Sequence, residues 1–194
     1  GEEYTLVAVA DYVLKHTPGN TVSNLSSSRA LKDVTEAYGQ QYHAAAVGEV
    51  NVVAEMKRTH SVIGGEGNGG VIYPESHYGR DALVGVGLFL SHYVAQSKKM
   101  TELKSTYPPY FISKNKVTLS PDMDVDKILE GLKERYATEK VTDIDGVKID
   151  FAQGWVHLRK SNTEPIIRIY SEAKDEAAAN QLAEEVIAAA KSTL

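Results

Sequence analysis

A chain of 194 residues, 42% hydrophobic and 24% charged, has enough apolar material for one large core or two small ones. Without cysteine it holds no disulfide and no thiolate-bound metal, as expected of a cytoplasmic protein. Its 21 Lys and Arg against 26 Asp and Glu give a net charge of −5, which speaks against a nucleic-acid partner, and its apolar runs are too short to span a membrane.

The chain opens without Met and enters a helical pattern almost at once, so its true N-terminus is expected elsewhere. Leu6, Val9, Val13 and Leu14 predict a helix over 4–16, stopped by Pro18 and Gly19. A short buried strand follows at 21–25, with Ser26, Ser27 and Ser28 as candidate caps for a helix over 29–38. The pattern repeats with a strand at 41–47, a helix at 49–58 and a short strand at 61–63. A glycine-rich loop spans 64–70, and 71–73 is extended. The helix over 81–96 is apolar all round and is expected to pack on several sides. This alternation predicts an α/β layer with a largely parallel sheet.

The texture changes near residue 108, where Tyr107-Pro108-Pro109-Tyr110 reads as a boundary between domains 1–108 and 109–194. A strand at 111–119, a helix at 125–136, a hairpin signal at Asp145-Gly146, strands at 155–159 and 166–171 and a closing helix at 175–191 follow. That order predicts a smaller α+β domain, an antiparallel sheet with helices on one face.

Two loops carry chemistry. Gly65-Glu66-Gly67-Asn68-Gly69-Gly70 matches G-x-G-x-x-G, but a β-like segment and Pro74 follow it instead of a helix, so the dinucleotide reading fails. What remains is an acceptor, Glu66, and a donor–acceptor, Asn68, among glycines that admit a ligand close to the backbone. That set suits a polyol, and a plain turn with both side chains in solvent fits the loop equally well. The second loop gathers Arg159, Ser161, Asn162 and Thr163 between two strands, with Arg168 beyond the turn as brace or added charge. Such donors can hold a phosphate or carboxylate, although Ser, Asn, Thr and Pro are also ordinary turn residues. The six histidines show no i,i+4 pair for a metal, and Asp122, Asp124 and Asp126 do not fit a calcium loop. Tyr78-Gly79-Arg80-Asp81 either returns to the mouth of the first loop or is a helix start.

Taken together, Val62-Ile63-Gly64-Gly65-Glu66-Gly67-Asn68-Gly69-Gly70 resembles the G-E-x-S-G sugar loop of the α-D-phosphohexomutases. Arg159-Lys160-Ser161-Asn162-Thr163-Glu164-Pro165 with Arg168 resembles their R-x-S-[GN]-T-x-P phosphate loop. Leu25-Ser26-Ser27-Ser28-Arg29 and Val47-Gly48-Glu49-Val50 are similar to segments of that family's third domain. The resemblance implies the third and fourth of four domains: a three-layer α/β sandwich with a mixed sheet, then the α+β domain. It implies reversible phosphoryl transfer between the 1- and 6-positions of a hexose through a bisphosphorylated sugar.

In the family the phosphoserine and an Asp-rich magnesium loop lie in the first two domains. The 194 residues contain no T-A-S-H-N-like serine loop and no D-x-D-G-D. The resemblance therefore implies a C-terminal piece that is inactive alone, with Mg2+ bound outside it and its own N-terminal domains as partners. By the same resemblance Glu66 and Asn68 bind sugar hydroxyls, while Arg159, Ser161, Asn162 and Thr163 hold the phosphate that is not transferred. Asn68 stands where the family often has Ser, and Glu49 where some members have His or Asp, so the sugar is open between glucose, mannose and glucosamine. The competing reading is a non-catalytic sugar-phosphate-binding module on the same domains.

Overall fold

The computed structural model describes residues 2–118, 124–161 and 164–192. They divide between two compact units, Gly1–Pro109 and Tyr110–Leu194. The elements of the first unit are α1 (Glu3–His16), β1 (Thr21–Asn24), α2 (Ala30–Ala37), β2 (Tyr42–Ala45), α3 (Glu49–Thr59), β3 (Ile63–Glu66), β4 (Gly70–Ile72), α4 (Ala82–Gln96) and α5 (Met100–Lys104). Its sheet runs β2-β1-β3-β4, parallel between β1 and its neighbours and antiparallel between β3 and β4. Alternation along β1 assigns the layers. Thr21 bonds Thr35 of α2, whereas Val22 packs with Val52 and Met56 of α3 on the other face. α1 and α4 join α2 on the first face, which gives the three-layer α/β arrangement with a mixed sheet.

Two expectations change here. The glycine-rich segment is a hairpin rather than a loop, because β3 runs through Gly64 and Gly65 to Glu66 and only 67–69 turn. Glycine suits β3 because both sheet faces crowd it: a Cβ on Gly64 would meet Met56 Sδ at 2.6 Å. The helix over 82–96 is not packed all round. Leu83, Val86, Leu90 and Val94 are exposed, and only Gly85 and His92 are buried.

The second unit comprises β5 (Phe111–Thr118), α6 (Val125–Arg135), β6 (Lys140–Thr142), β7 (Val147–Phe151), β8 (Gly154–Lys160), β9 (Ile166–Ala173) and α7 (Glu176–Lys191). The sheet is antiparallel in the order β5-β9-β8-β7-β6. Val147, Ile149, Val156, Leu158, Ile167 and Ile169 form one face and pack with Ile128 and Leu132 of α6 and Leu182 and Val186 of α7. Gly146 turns β6 into β7 with φ of +66°, as the Asp-Gly pair predicts. Asp124 and Asp175 cap α6 and α7 by accepting from backbone N–H groups. Among the described residues no helix is long and apolar enough to cross a membrane.

Candidate functional site

In the first unit β1 leads through α2 to β2 on one side, while β2 leads through α3 to β3 on the other. The order reverses between β1 and β3, and in open α/β sheets ligands bind beyond the carboxyl ends of the strands at such a point. The last residues of those two strands are Asn24 and Glu66. Asn24 Nδ2 donates to Glu66 Oε1 at 3.0 Å, and Asn24 Oδ1 accepts from Ser26 N and Ser27 Oγ. Ser27 Oγ in turn accepts from Gly67 N at 2.8 Å. Ser27 thus braces the glycine hairpin instead of capping α2, while Ser28 Oγ accepts from Ala30 N. Glu3 of α1 reaches into the same cluster, where its carboxylate accepts from Ser28 N. A side chain on Gly67 would overlap that carboxylate. Buried polar groups are tolerated only when paired, and Glu66, 5% exposed, meets that condition.

Its second oxygen faces Arg80. Arg80 Nη1 lies 3.3 Å from Glu66 Oε2, and Arg80 Nε donates to Glu49 Oε2 at 2.7 Å. Glu49 Oε1 accepts from Arg80 N at 3.0 Å. The backbone N–H and the guanidinium of Arg80 hold the Glu49 carboxyl below the usual range, and the same pairing raises Arg80. The segment before α4 therefore does return to the mouth of the first loop, and a bridge between Ile72 and Arg80 fixes it there. Asp81 serves also as the helix cap, accepting from Val84 N. Both readings of that segment hold at once. Glu49, Asn68, Gly69, Gly70, Arg80 and Asp81 line a cleft of about 540 Å³, with Glu66 set behind it. Asn68 Oδ1 accepts from Gly70 N, which leaves its amide nitrogen for a ligand. Gly69 makes the turn with φ of +90°.

Glu49, Glu66 and Asn68 are thus gathered around one cleft. Arg80 completes it, and the sequence alone left its role undecided. The signal was thin: one cation a few residues beyond the hairpin, with carboxylate partners far away in the chain.

In the second unit Arg159 and Arg168 are paired directly across β8 and β9, and Lys116 of β5 pairs with Arg168. Three cations therefore stand in one row on the sheet face opposite the helices. Like charges directly opposite destabilise a sheet, so a row of three needs a compensating anion. Asp145 supplies part of it to Arg159 at 3.1 Å, and Glu164 part of it to Arg168 at 3.2 Å. Ser161 N donates to Ile166 O and closes the hairpin. Asn162 and Thr163 lie outside the described residues. Lys116 carried no sequence signal, since only strand register brings it beside Arg168.

His157, two residues before Arg159, is 1% exposed, and its Nε2 donates to Asp145 O at 2.7 Å. Burial pushes it down to about 4, so it is neutral at pH 7. No group of three or more His, Asp or Glu suited to a metal occurs among the described residues, and Asp124 is spent as a helix cap. These residues do not fit a magnesium site.

A switch-point cleft rimmed by an acid, an amide and an arginine, followed by an antiparallel unit with a row of cations, matches the expected third and fourth domains of a phosphohexomutase. The chain belongs to the phosphoglucomutase/phosphomannomutase family: the alpha/beta/alpha domain III model matches residues 2–110 and the C-terminal domain model residues 116–189. A phosphoglucosamine/phosphogalactosamine mutase of Sulfurisphaera tokodaii is 37% identical over 85% of the chain and 37% of that protein. A phosphoglucomutase/phosphomannomutase of Thermococcus kodakarensis is 37% identical over 93% of the chain and 40% of that protein. A family protein of Burkholderia thailandensis superposes with a TM-score of 0.80 at 22% identity, over 98% of the chain and 41% of that structure. The chain thus spans about two fifths of the length of these relatives.

Proposed function

We propose that this chain supplies the sugar-binding and phosphate-binding parts of a mutase that interconverts hexose 1-phosphate and hexose 6-phosphate. The observation that carries the proposal is the in-register row of Lys116, Arg168 and Arg159 at the end of a turn rich in hydroxyl and amide groups. Two arginines and a lysine facing one anion provide charge-assisted hydrogen bonds, the strong kind. Holding the phosphate that is not transferred fixes the sugar, so that the reacting oxygen is presented in one place. Asn68 then grips the hydroxyls of the ring with Glu66 set behind it, and the cleft rim with Glu49 reads which hexose is present.

Under this proposal the phosphoserine and the Mg2+ that supports transfer belong to domains outside these 194 residues, in a cytoplasmic enzyme. The ion supplies charge neutralisation at the transferred phosphoryl group, while the residues here bind and orient. Names among the relatives favour two sugar classes. The Thermococcus kodakarensis protein is called a phosphoglucomutase/phosphomannomutase, and the Sulfurisphaera tokodaii protein a phosphoglucosamine/phosphogalactosamine mutase. A phosphoglucosamine mutase is therefore the second reading, and the carboxylate of Glu49 on the rim favours it, since a hexosamine brings a cation.

Isothermal titration of the 194-residue chain with glucose 1-phosphate tests the phosphate grip. Heat from the wild type that disappears in Arg159→Ala is expected. Equal heats from the two proteins would remove the phosphate assignment.

A further inference from the structure

We infer that Arg80 contacts the sugar itself, as a third side chain of the cleft beside Asn68 and Glu49. The inference rests on the sugar-phosphate reading above and adds to it a specificity-determining residue.

The first support is room. A Cβ on Gly70 would meet Arg80 Cδ at 2.7 Å and Arg80 Cγ at 3.3 Å. The bare backbone of Gly70 is therefore the groove along which the arginine stem lies. The second is position. The backbone of Arg80 is bridged to Ile72 of β4, and Asp81 N donates to Val71 O at 2.9 Å, so the residue leaves a fixed sheet edge. The third is orientation of the head group. Glu49 takes Nε and Glu66 faces Nη1, which locks the guanidinium plane from two directions. Nη2 has no partner among the described residues, and the side chain is 47% exposed on the wall of the cleft. A planar donor held rigid with one edge open is preorganised, and a ligand hydroxyl gains its hydrogen bond with little further ordering.

Charge selects the ligand. Glu49 and Glu66 carry two negative charges against the one positive charge of Arg80, and Asp81 adds a further carboxylate to the rim. An anion is therefore repelled from this cleft. A neutral or cationic polyol is accepted: one hydroxyl takes the Arg80 donor, and a neighbouring hydroxyl or amine donates to Glu49. Each Glu49 oxygen accepts one bond from Arg80 and keeps a lone pair for this purpose.

The test compares two ligands on the 194-residue chain, glucose 1-phosphate and methyl phosphate, which lacks the ring hydroxyls. Isothermal titration of the wild type is expected to give tighter binding of glucose 1-phosphate. Arg80→Gln is expected to weaken glucose 1-phosphate about tenfold, the size of one hydrogen bond to a charged donor, and to leave methyl phosphate unchanged. Arg80→Lys keeps an ion pair with Glu49 but loses the planar fork, and an intermediate affinity is expected. Equal affinity for glucose 1-phosphate in wild type and Arg80→Gln overturns the inference and leaves the sugar-phosphate reading intact. An equal loss for both ligands also overturns it, since Arg80 would then support the fold or the field and not the sugar. Wild-type chain that binds neither ligand overturns the sugar-phosphate reading and the inference together.

Discussion

The glycine hairpin over β3 and β4 and the turn between β8 and β9 are both connections between antiparallel strands, and they are built in opposite ways. The first draws its partners from far along the chain. Glu3, Asn24, Ser27, Glu49 and Arg80 all converge on the hairpin, and its acid is buried among them. The second is more local: Ser161 bonds Ile166, Arg168 pairs with Glu164, and the two arginines come from its own flanking strands, with Asp145 and Lys116 joining from neighbouring elements. A site at a switch point is assembled by topology, whereas a site at a hairpin end is assembled by register. The first is therefore pre-set by the fold core, and the second by the register of its strands with β5 and by the Asp145 ion pair.

Breaking each region sharpens that contrast. The largest effect is expected from acid. His157 beside the cation row has its folded-state value pushed from an ordinary 6.5 to about 4. The unfolded chain binds the proton more tightly, so stability is full above about pH 6.5 and is lost progressively as pH falls towards 4, by on the order of 3 kcal/mol. Urea melts from pH 7 to pH 4 measure this, and His157→Gln should flatten the profile. Next comes Asn24→Ala, which strips partners from buried Glu66 and from Ser27. A loss of about 2 kcal/mol in the first unit is expected from denaturant melts.

Arg159→Ala should weaken phosphate binding between about tenfold and a hundredfold while changing the melting temperature little, as titration and thermal melts would show. Lys116→Ala should weaken it only a few-fold, and the difference should shrink at high salt because this lysine is exposed. Smallest of all is Glu164→Ala. Its ion pair with Arg168 is exposed on both sides, and a change within about 0.5 kcal/mol is expected in the melts.

This contrast also explains what the sequence disclosed. The donors Arg159, Ser161, Asn162 and Thr163 fall within five residues, so their chemistry is visible in one window, and Arg168 follows within the next strand. Lys116 belongs to the same row but arrives through the β5–β9 register, which no local pattern encodes. Around Glu66 the balance is reversed. The glycines mark the place, yet its meaning depends on Asn24 and Arg80, which lie far off in the chain. Helix and strand periodicity located most elements because each buries one face. It failed at α4, where apolar residues on every side imply burial that the described chain does not provide. It also hid the β3–β4 hairpin, because glycine carries no pattern of alternation.

Amide chemical-shift mapping of the 194-residue chain with glucose 1-phosphate and with inorganic phosphate probes the division of labour between the two regions. Both ligands should move signals at 159–168, and only the sugar phosphate should also move those at 66–70 and 80. Unmoved signals at 159–168 with either ligand would contradict the account.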